Sequence, residues 1–340
     1  MQLEKDQIFW SVYKDMYLQR LQIRDNNQVY IDNVRRVLER FTRYCNLVTR
    51  FLSEITVQDL EHYLKIRKGE KCRGKLLSNV TLNNDLQALN SCLGAAGPIE
   101  PRGPGRGNYG FLDFPPYIEM LSVDETEPKV VTEQQIQKFS EAASFARSPQ
   151  IEGCTPAEFW RAALLLGMIT GLRRRGLLLI ERPSDEMLIE KRELFLSAKH
   201  HKTRNSLRIP LGSAEVVNML AKLPSQKGEP LLPWRRSTGE PLSAQHFSNT
   251  MAKIQREAGI AEGDRVKTKN LRSTTATIIA EEFNDDLARK RLGHSPNSKS
   301  TLLVNYKAKR VSDLDRVASE KLGELVLPHV TSPILKVFGT

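Results

Sequence analysis

Apolar residues recur every three or four positions through most of this chain, the period of a helix with one buried face. Val34, Val37, Leu38 and Phe41 follow it, with Arg35, Arg36, Arg40 and Arg43 on other faces. "SEITVQDLEHYLKIRK" predicts a second helix with Thr56 as N-cap. Leu82, Leu86, Leu89 and Leu93 predict a third, stopped by Gly97 and Pro98. Nothing here alternates with period two, so residues 1–128 read as an all-helical domain. Residues 97–117 hold five Gly and five Pro, which marks a loop. The acidic "SVDETEP" ends at Pro128, and "TEQQIQKF" then opens a helix with Thr132 at the N-cap and Gln135 at N3. The domain boundary is therefore expected between 126 and 131.

Beyond it the pattern mixes. "CTPAEFWRAALLLGMITG" has Thr155 at the N-cap, Pro156 at N1, Glu158 at N3 and Gly171 as a stop. "MLIEKRELFLSAKHHKTRNSLRIPL" carries apolar and β-branched residues on both sides of a polar turn, which predicts a small antiparallel sheet. Helices are expected at 213–222, 243–258, 270–283 and 285–292. The last has Asn284 as cap, Asp285 and Asp286 in its first turn, Arg289 to Arg291 in its last, and Gly293 as its stop. Acid first and base last suits the helix dipole. A mostly α second domain with a small antiparallel β-sheet (α+β) is thus expected over 129–310. In the tail, 311–340, Leu314, Val317 and Leu322 would share one face of an amphipathic helix.

A length of 340 residues suits two domains, and 40% hydrophobic with 27% charged residues is a globular composition. No apolar run approaches the 18 residues of a membrane span, and the N-terminal stretch lacks a signal-peptide layout. Cys45, Cys72, Cys92 and Cys154 are too scattered for a zinc site or a disulfide framework. A cytoplasmic protein with free thiols, and no membrane partner, is expected. Charge sharpens this picture. Residues 1–130 carry 18 Lys/Arg and 17 Asp/Glu; residues 131–340 carry 33 and 23. Nearly all of the net +11 therefore sits on the second part, the footprint of a polyanion partner, most often nucleic acid.

Four stretches of that basic part hold candidate chemistry. "ITGLRRRG" places Arg173 just after a helix stop. "HKTRNSLRIPL" places Lys202 on the sheet turn, ahead of Pro210. "KTKNLRSTTATII" places Lys269 and Arg272 at a helix start, and "LGHSPNSKSTLLVNY" supplies His294 and Tyr306. Of eight tyrosines, seven lie at or before Tyr117 and the eighth is Tyr306. Each has a plainer reading. Arg174 or Arg175 could stand for Arg173, and Lys199 for Lys202. His294 could serve the helix dipole, Tyr306 could be packing, and Lys269 could be a simple phosphate contact.

The order Arg, Lys, Lys-x-x-Arg, Gly-His, Tyr resembles the tyrosine recombinases, the phage integrase family. "TGLR" at 170–173, "KTRNSLRIPL", "KNLR" at 269–272 and "LGH" at 292–294 stand for its successive boxes. "LSNVTLNNDLQAL" is similar to part of the family's helical core-binding domain. Lys269 stands where the family usually has His, and Gly176 where it has an acidic residue. The step from His294 to Tyr306 is longer than is common, with the extra residues assigned to "SPNSKS".

The resemblance implies a two-domain clamp around double-stranded DNA and a homotetramer on that DNA. It implies site-specific strand exchange through a 3′-phosphotyrosine, with neither metal, ATP nor other cofactor. Its tail would dock on a neighbouring subunit; the alternative is that it folds back on its own domain. The short run before the first helix suggests a simple-site enzyme without arm sites. The chemistry suits the residues. Two guanidinium forks, Arg173 and Arg272, match the non-bridging oxygens of a phosphodiester. A phenol, ordinarily of pKa about 10, becomes a nucleophile beside cations. Tyr306 takes that role, Lys202 is the general acid for the leaving 5′-oxygen, and His294 and Lys269 bond the phosphate. A type IB topoisomerase and a non-cleaving DNA-binding descendant are the rival readings.

Overall fold

A computed structural model describes residues 7–100, 107–124, 127–198, 206–235, 239–240, 242–293 and 313–331. The chain forms two compact units, Met1–Thr126 and Glu127–Thr340. The observed class is the expected one: mostly α, with small antiparallel sheets.

The first unit packs α1 (Trp10–Ile23), α2 (Gln28–Tyr44), α3 (Val57–Gly69) and α4 (Asn79–Ala95) about an aromatic core. α1 was not among the expected helices, although Trp10, Tyr13, Tyr17 and Leu21 line its buried side at helical spacing. Trp10 Nε1 donates to Thr42 Oγ1 at 2.7 Å, and the Phe41 ring meets Trp10 and Tyr63 edge-on. A buried carboxylate, Asp85 on α4, accepts from Tyr63 (2.9 Å), Arg67 (2.8 Å) and Arg40 (3.2 Å) and so ties α4 to α2 and α3. A buried charge persists only with such partners.

The all-helical expectation needs one correction. Between α3 and α4 lies a hairpin of β1 (Lys71–Cys72) and β2 (Lys75–Leu76), too short for period two to be legible. Arg73 and Gly74 turn it with φ of 52° and 80°, the positive pair that suits a tight hairpin. The Gly/Pro stretch has no regular structure where described. From Tyr109 it runs back along α4, whose Asn90 and Asn83 side chains each exchange two hydrogen bonds with the backbone of Ile118 and Leu121.

The second unit is built around α6 (Pro156–Thr170). Thr155 and Glu158 cap it reciprocally, as expected. Every residue from Ala162 to Thr170 is buried, so this helix is enclosed rather than amphipathic. Around it pack α5 (Glu133–Ala143), α8 (Ala214–Ala221), α10 (Thr268–Glu282) and α12 (Asp313–Thr331). A short α7 (Arg174–Leu179) packs on α9 (Ala244–Glu257), and α11 (Asp285–Arg291) follows α10. β3 (Glu193–Leu196) pairs with β4 (Leu207–Pro210), Glu193 opposite Pro210 and Leu196 opposite Leu207. The strand begins later than "MLIE" suggested, because Glu186–Glu190 forms a π-helical turn.

The reading of 311–340 as a separate tail is corrected over 313–331. α12 folds back on its own unit, with Ala318, Leu322, Val326 and Val330 in the main core. Leu314 and Val317, the other two residues of the expected face, are exposed. The apolar stripe keeps Leu322 but runs through Ala318, Val326 and Val330 in place of Leu314 and Val317. Residues 332–340 lie outside the described residues.

α6 and α10 approach closely because Gly167 and Gly171 have no side chain. A Cβ on Gly167 would sit 2.8 Å from Leu271 Cδ1. One on Gly171 would lie 3.0 Å from both Thr275 Cγ2 and Leu292 Cδ2. Gly171 also adopts φ +58° as the helix C-cap, which penalises any Cβ. Gly171→Ala should lower stability by about 1–3 kcal/mol, read as a reduced urea midpoint at unchanged m.

Candidate active site

Three of the six expected site residues lie within the described structure: Arg173, Lys269 and Arg272. Lys202, His294 and Tyr306 lie outside the described residues.

Arg173 is placed by the end of α6. The helix stops at Thr170, Gly171 turns left-handed, Leu172 buries its side chain, and Arg173 becomes the N-cap of α7. Arg272 comes from α10, ninety-nine positions later, yet the two guanidiniums share one site. Arg272 Nη1 donates to Gly171 O at 2.7 Å, and its Nη2 donates to Leu292 O at 3.0 Å. Burial, and then the positive charge of Arg173, push the Arg272 pKa down to about 10. Arg173 Nη1 is itself buried with no hydrogen-bond partner among the described residues.

The run of three arginines is sorted by these contacts. Arg174 Nη1 donates to Ser248 Oγ on α9 at 2.8 Å, and Arg175 is exposed. Arg173 is the member whose charge reaches Arg272. Lys269, in the first turn of α10, is exposed, and its ammonium has no hydrogen bond or ion pair among the described residues.

A pair of partly desolvated cations is an unfavourable arrangement by itself. It becomes favourable once an anion lies between the forks, because each guanidinium then gains a charge-assisted bond. The site is therefore suited to a phosphate. Gly176, where an acidic residue was looked for, is buried on α7. A Cβ there would meet only ordinary contacts, Leu196 Cδ2 at 3.7 Å and Leu172 Cβ at 3.8 Å. Crowding at Cβ does not demand the glycine. Among the described residues no group of three His, Cys, Asp or Glu is placed to hold a metal ion, and no helix is long and apolar enough to cross a membrane.

The sequence reading missed the groups that hold these side chains. Two are backbone carbonyls, Gly171 O and Leu292 O, which no residue pattern reports. A third is Arg291. It was read as a dipole-compensating base, but its side chain is 1% exposed. The signal was available: Leu287, Ala288, Arg291 and Leu292 share one buried face of α11.

Residues 129–312 match the model of the phage integrase family. The solved structures that resemble the chain include a lambda integrase dimer bound to a COC′ core site. It is 18% identical with a TM-score of 0.62, over 91% of this chain and 81% of that one. A lambda integrase tetramer bound to a Holliday junction is also 18% identical, with a TM-score of 0.60 over 89% of this chain and 80% of that one. XerH site-specific recombinase in a pre-cleavage complex with difH substrate is 17% identical, with a TM-score of 0.52 over 82% and 77%. At these identities the likeness is one of fold. No curated protein matches the chain by sequence. With more than half of its length matching the family model, the chain belongs to the phage integrase family.

The paired guanidiniums predict an anion effect with a defined pH window. The folded Arg272 pKa, about 10, lies below its ordinary value. The unfolded chain therefore binds more protons between these values, and the penalty of holding the charge is present at neutral pH and released as pH rises through 10. Sulfate, compared with chloride at equal ionic strength, should raise Tm at pH 7–9. At ten times its Kd the gain is about 1.4 kcal/mol, or about 2–5 °C. The gain should fade above pH 10 and be absent in an Arg173→Ala/Arg272→Ala variant.

Proposed function

We propose that this member of the phage integrase family is a site-specific DNA recombinase that works through a 3′-phosphotyrosine at Tyr306, with neither metal nor ATP. The observation that carries the reading is the pair Arg173 and Arg272. These cations are brought together from distant elements and partly desolvated, with Arg173 Nη1 unpartnered among the described residues. A fold that needed only stability would not hold two guanidiniums this way.

The chemistry follows from the residues. The forks bind the non-bridging oxygens of the scissile phosphate and neutralise the charge that grows on them. The Tyr306 phenolate attacks phosphorus, and the bond from phosphorus to the 5′-oxygen breaks. Lys202 passes its proton to that oxygen, which leaves as a hydroxyl. His294 and Lys269 bond the phosphate and favour the phenolate; Lys269 is exposed at the start of α10, where it can meet a ligand. The phosphodiester exchanges one alcohol for another, so a 5′-hydroxyl from a second duplex can reverse the step without an energy source.

Double-stranded DNA is the partner. The second part of the chain carries most of the positive charge and would bind it chiefly through phosphates. Residues 129–310 form the catalytic domain in this reading, and the helical domain, 1–128, adds DNA contacts. Assembly as a homotetramer on a four-way junction is the form that best suits paired strand exchange. A solved lambda integrase tetramer on a Holliday junction supports it. The four cysteines are free thiols, in keeping with a cytoplasmic site of action.

Nicked suicide duplexes carrying candidate sites, incubated in EDTA and run on denaturing gels, test the reading. Wild type should form a covalent protein–DNA band, and Tyr306→Phe should not. Arg173→Ala and Arg272→Ala should each cut the rate of that band about 10²–10³-fold. A band that persists in Tyr306→Phe would move the nucleophile elsewhere. DNA binding without any band would favour a non-cleaving descendant, and relaxation of supercoils without site preference a type IB topoisomerase.

A further inference from the structure

Arg291 ends α11, three residues before His294, and is among the largest fully buried side chains of the unit. Its guanidinium is spent in several directions. Nη1 donates to Ile169 O at 2.6 Å, on the last turn of α6 ahead of Arg173. Nε donates to Asp315 Oδ1 at 2.9 Å, and Nη2 donates to Asp315 O at 2.8 Å and to Ser319 Oγ at 2.9 Å. Asp315 and Ser319, both buried, lie on α12, the helix that follows Tyr306 in the chain. Ser319 Oγ in turn donates to Pro210 O on β4 at 2.6 Å. β4 is the strand that returns from Lys202.

One buried network thus joins the four elements from which Arg173, Lys202, His294 and Tyr306 depart or to which the chain returns. A second tie runs beside it: Arg316 on α12 pairs with Glu193 of β3 at 2.9 Å and donates to Lys191 O at 3.2 Å. Gly212, just beyond β4, lets the backbone of α12 approach, since a Cβ there would meet Glu320 N at 2.7 Å.

Stability does not account for a charge at position 291. It shares a face with Leu287, Ala288 and Leu292, where an apolar residue would pack. A buried ion pair is commonly no more stabilising than apolar residues of like volume. Directional bonds, however, fix distances and register that apolar contacts leave free to slide. We propose that Arg291, Asp315 and Ser319 are positioning residues that hold the two ends of residues 294–312, and the strand returning from Lys202, in register with the Arg173–Arg272 clamp. The inference rests on the recombinase reading above.

The test compares wild type with Arg291→Met/Asp315→Leu, which removes both charges together and keeps the volume, and with Asp315→Asn and Arg291→Lys. Three quantities are read: Tm, Kd for an intact duplex site, and the single-turnover rate of covalent complex formation on a suicide duplex. The double variant should melt within a few degrees of wild type and bind DNA with unchanged Kd. Its covalent complex should form about 10²-fold more slowly, the scale of a misplacement near 1 Å. Arg291→Lys keeps the charge but not the fork, and should fall between the two. Asp315→Asn leaves the buried Arg291 without its counter-charge and should melt lower than the double variant. Arg291→Lys keeps the ion pair, so it keeps a folded chain under test should the double variant fail to fold, and it should also slow cleavage at unchanged Kd. An unchanged rate in a folded variant overturns the proposal. So does a fall in rate that only parallels losses in Tm and Kd, which would mark a structural role. A wild type that binds its duplex and never forms the covalent complex refutes the recombinase reading instead.

Discussion

The approach of α6 to α10 is the contact on which the second unit depends. α6 is enclosed on every side, so its position is fixed by what its neighbours allow. Two glycines on it, 167 and 171, admit Leu271 and Thr275 from α10. Thr275 Oγ1 then bonds Met168 O at 2.6 Å across the contact while also bonding its own helix at Leu271 O. Thr274 Oγ1 acts the other way at the start of the unit, accepting from Val131 N at 2.7 Å while donating to Asn270 O at 2.8 Å. The hydroxyls satisfy groups that close packing would otherwise bury unpaired. This contact is what carries Arg272 to the end of α6, where Arg173 begins.

The electrostatic consequence runs against stability. Packing two helices this tightly desolvates Arg272 and places a second positive charge beside it, which is why its pKa falls to about 10. Two backbone carbonyls, Gly171 O and Leu292 O, receive hydrogen bonds from it, and carbonyls cannot neutralise a charge. An anion can. The same tension is resolved differently at Arg291, where Asp315 supplies the counter-charge in the interior, and at Asp85 in the first unit, where Arg40 and Arg67 do. A pair of like charges suited to an anion thus lies close in sequence to an ion pair already complete, Arg272 on α10 and Arg291 on α11. The first suits a ligand and the second suits geometry.

α12 shows how the unit combines the two. Its apolar stripe, Ala318, Leu322, Val326 and Val330, binds it to the core without specifying register. Asp315, Arg316 and Ser319 sit at its start, where it faces α11, β3 and β4, and they supply the directional bonds. The end of the helix nearest the site residues in sequence thus bonds α11, β3 and β4, while at its far end His329 meets Glu133 of α5 at 3.1 Å.

The sequence by itself determined whatever depends on local chemistry. Caps at Thr132, Thr155 and Asn284 and the stop at Gly171 set helix ends to within a residue or two, because a short side chain meets its own backbone N–H groups. The order Arg173, Lys202, Lys269, Arg272, His294 and Tyr306 carried the resemblance to the phage integrase family, and the family is what the chain belongs to. Short or long-range matters were decided only in three dimensions. The β1–β2 hairpin has too few residues to show a period. The face of α12 depended on which neighbour it met, and shifted from Leu314 and Val317 to Ala318. Arg291 carries the same letter as the exposed Arg289, and only burial separates them. Above all, the sequence could place Arg173 and Arg272 in one list but not in one site. Their meeting depends on two glycines and two carbonyl oxygens, and carbonyls are common to every residue until a fold aims them.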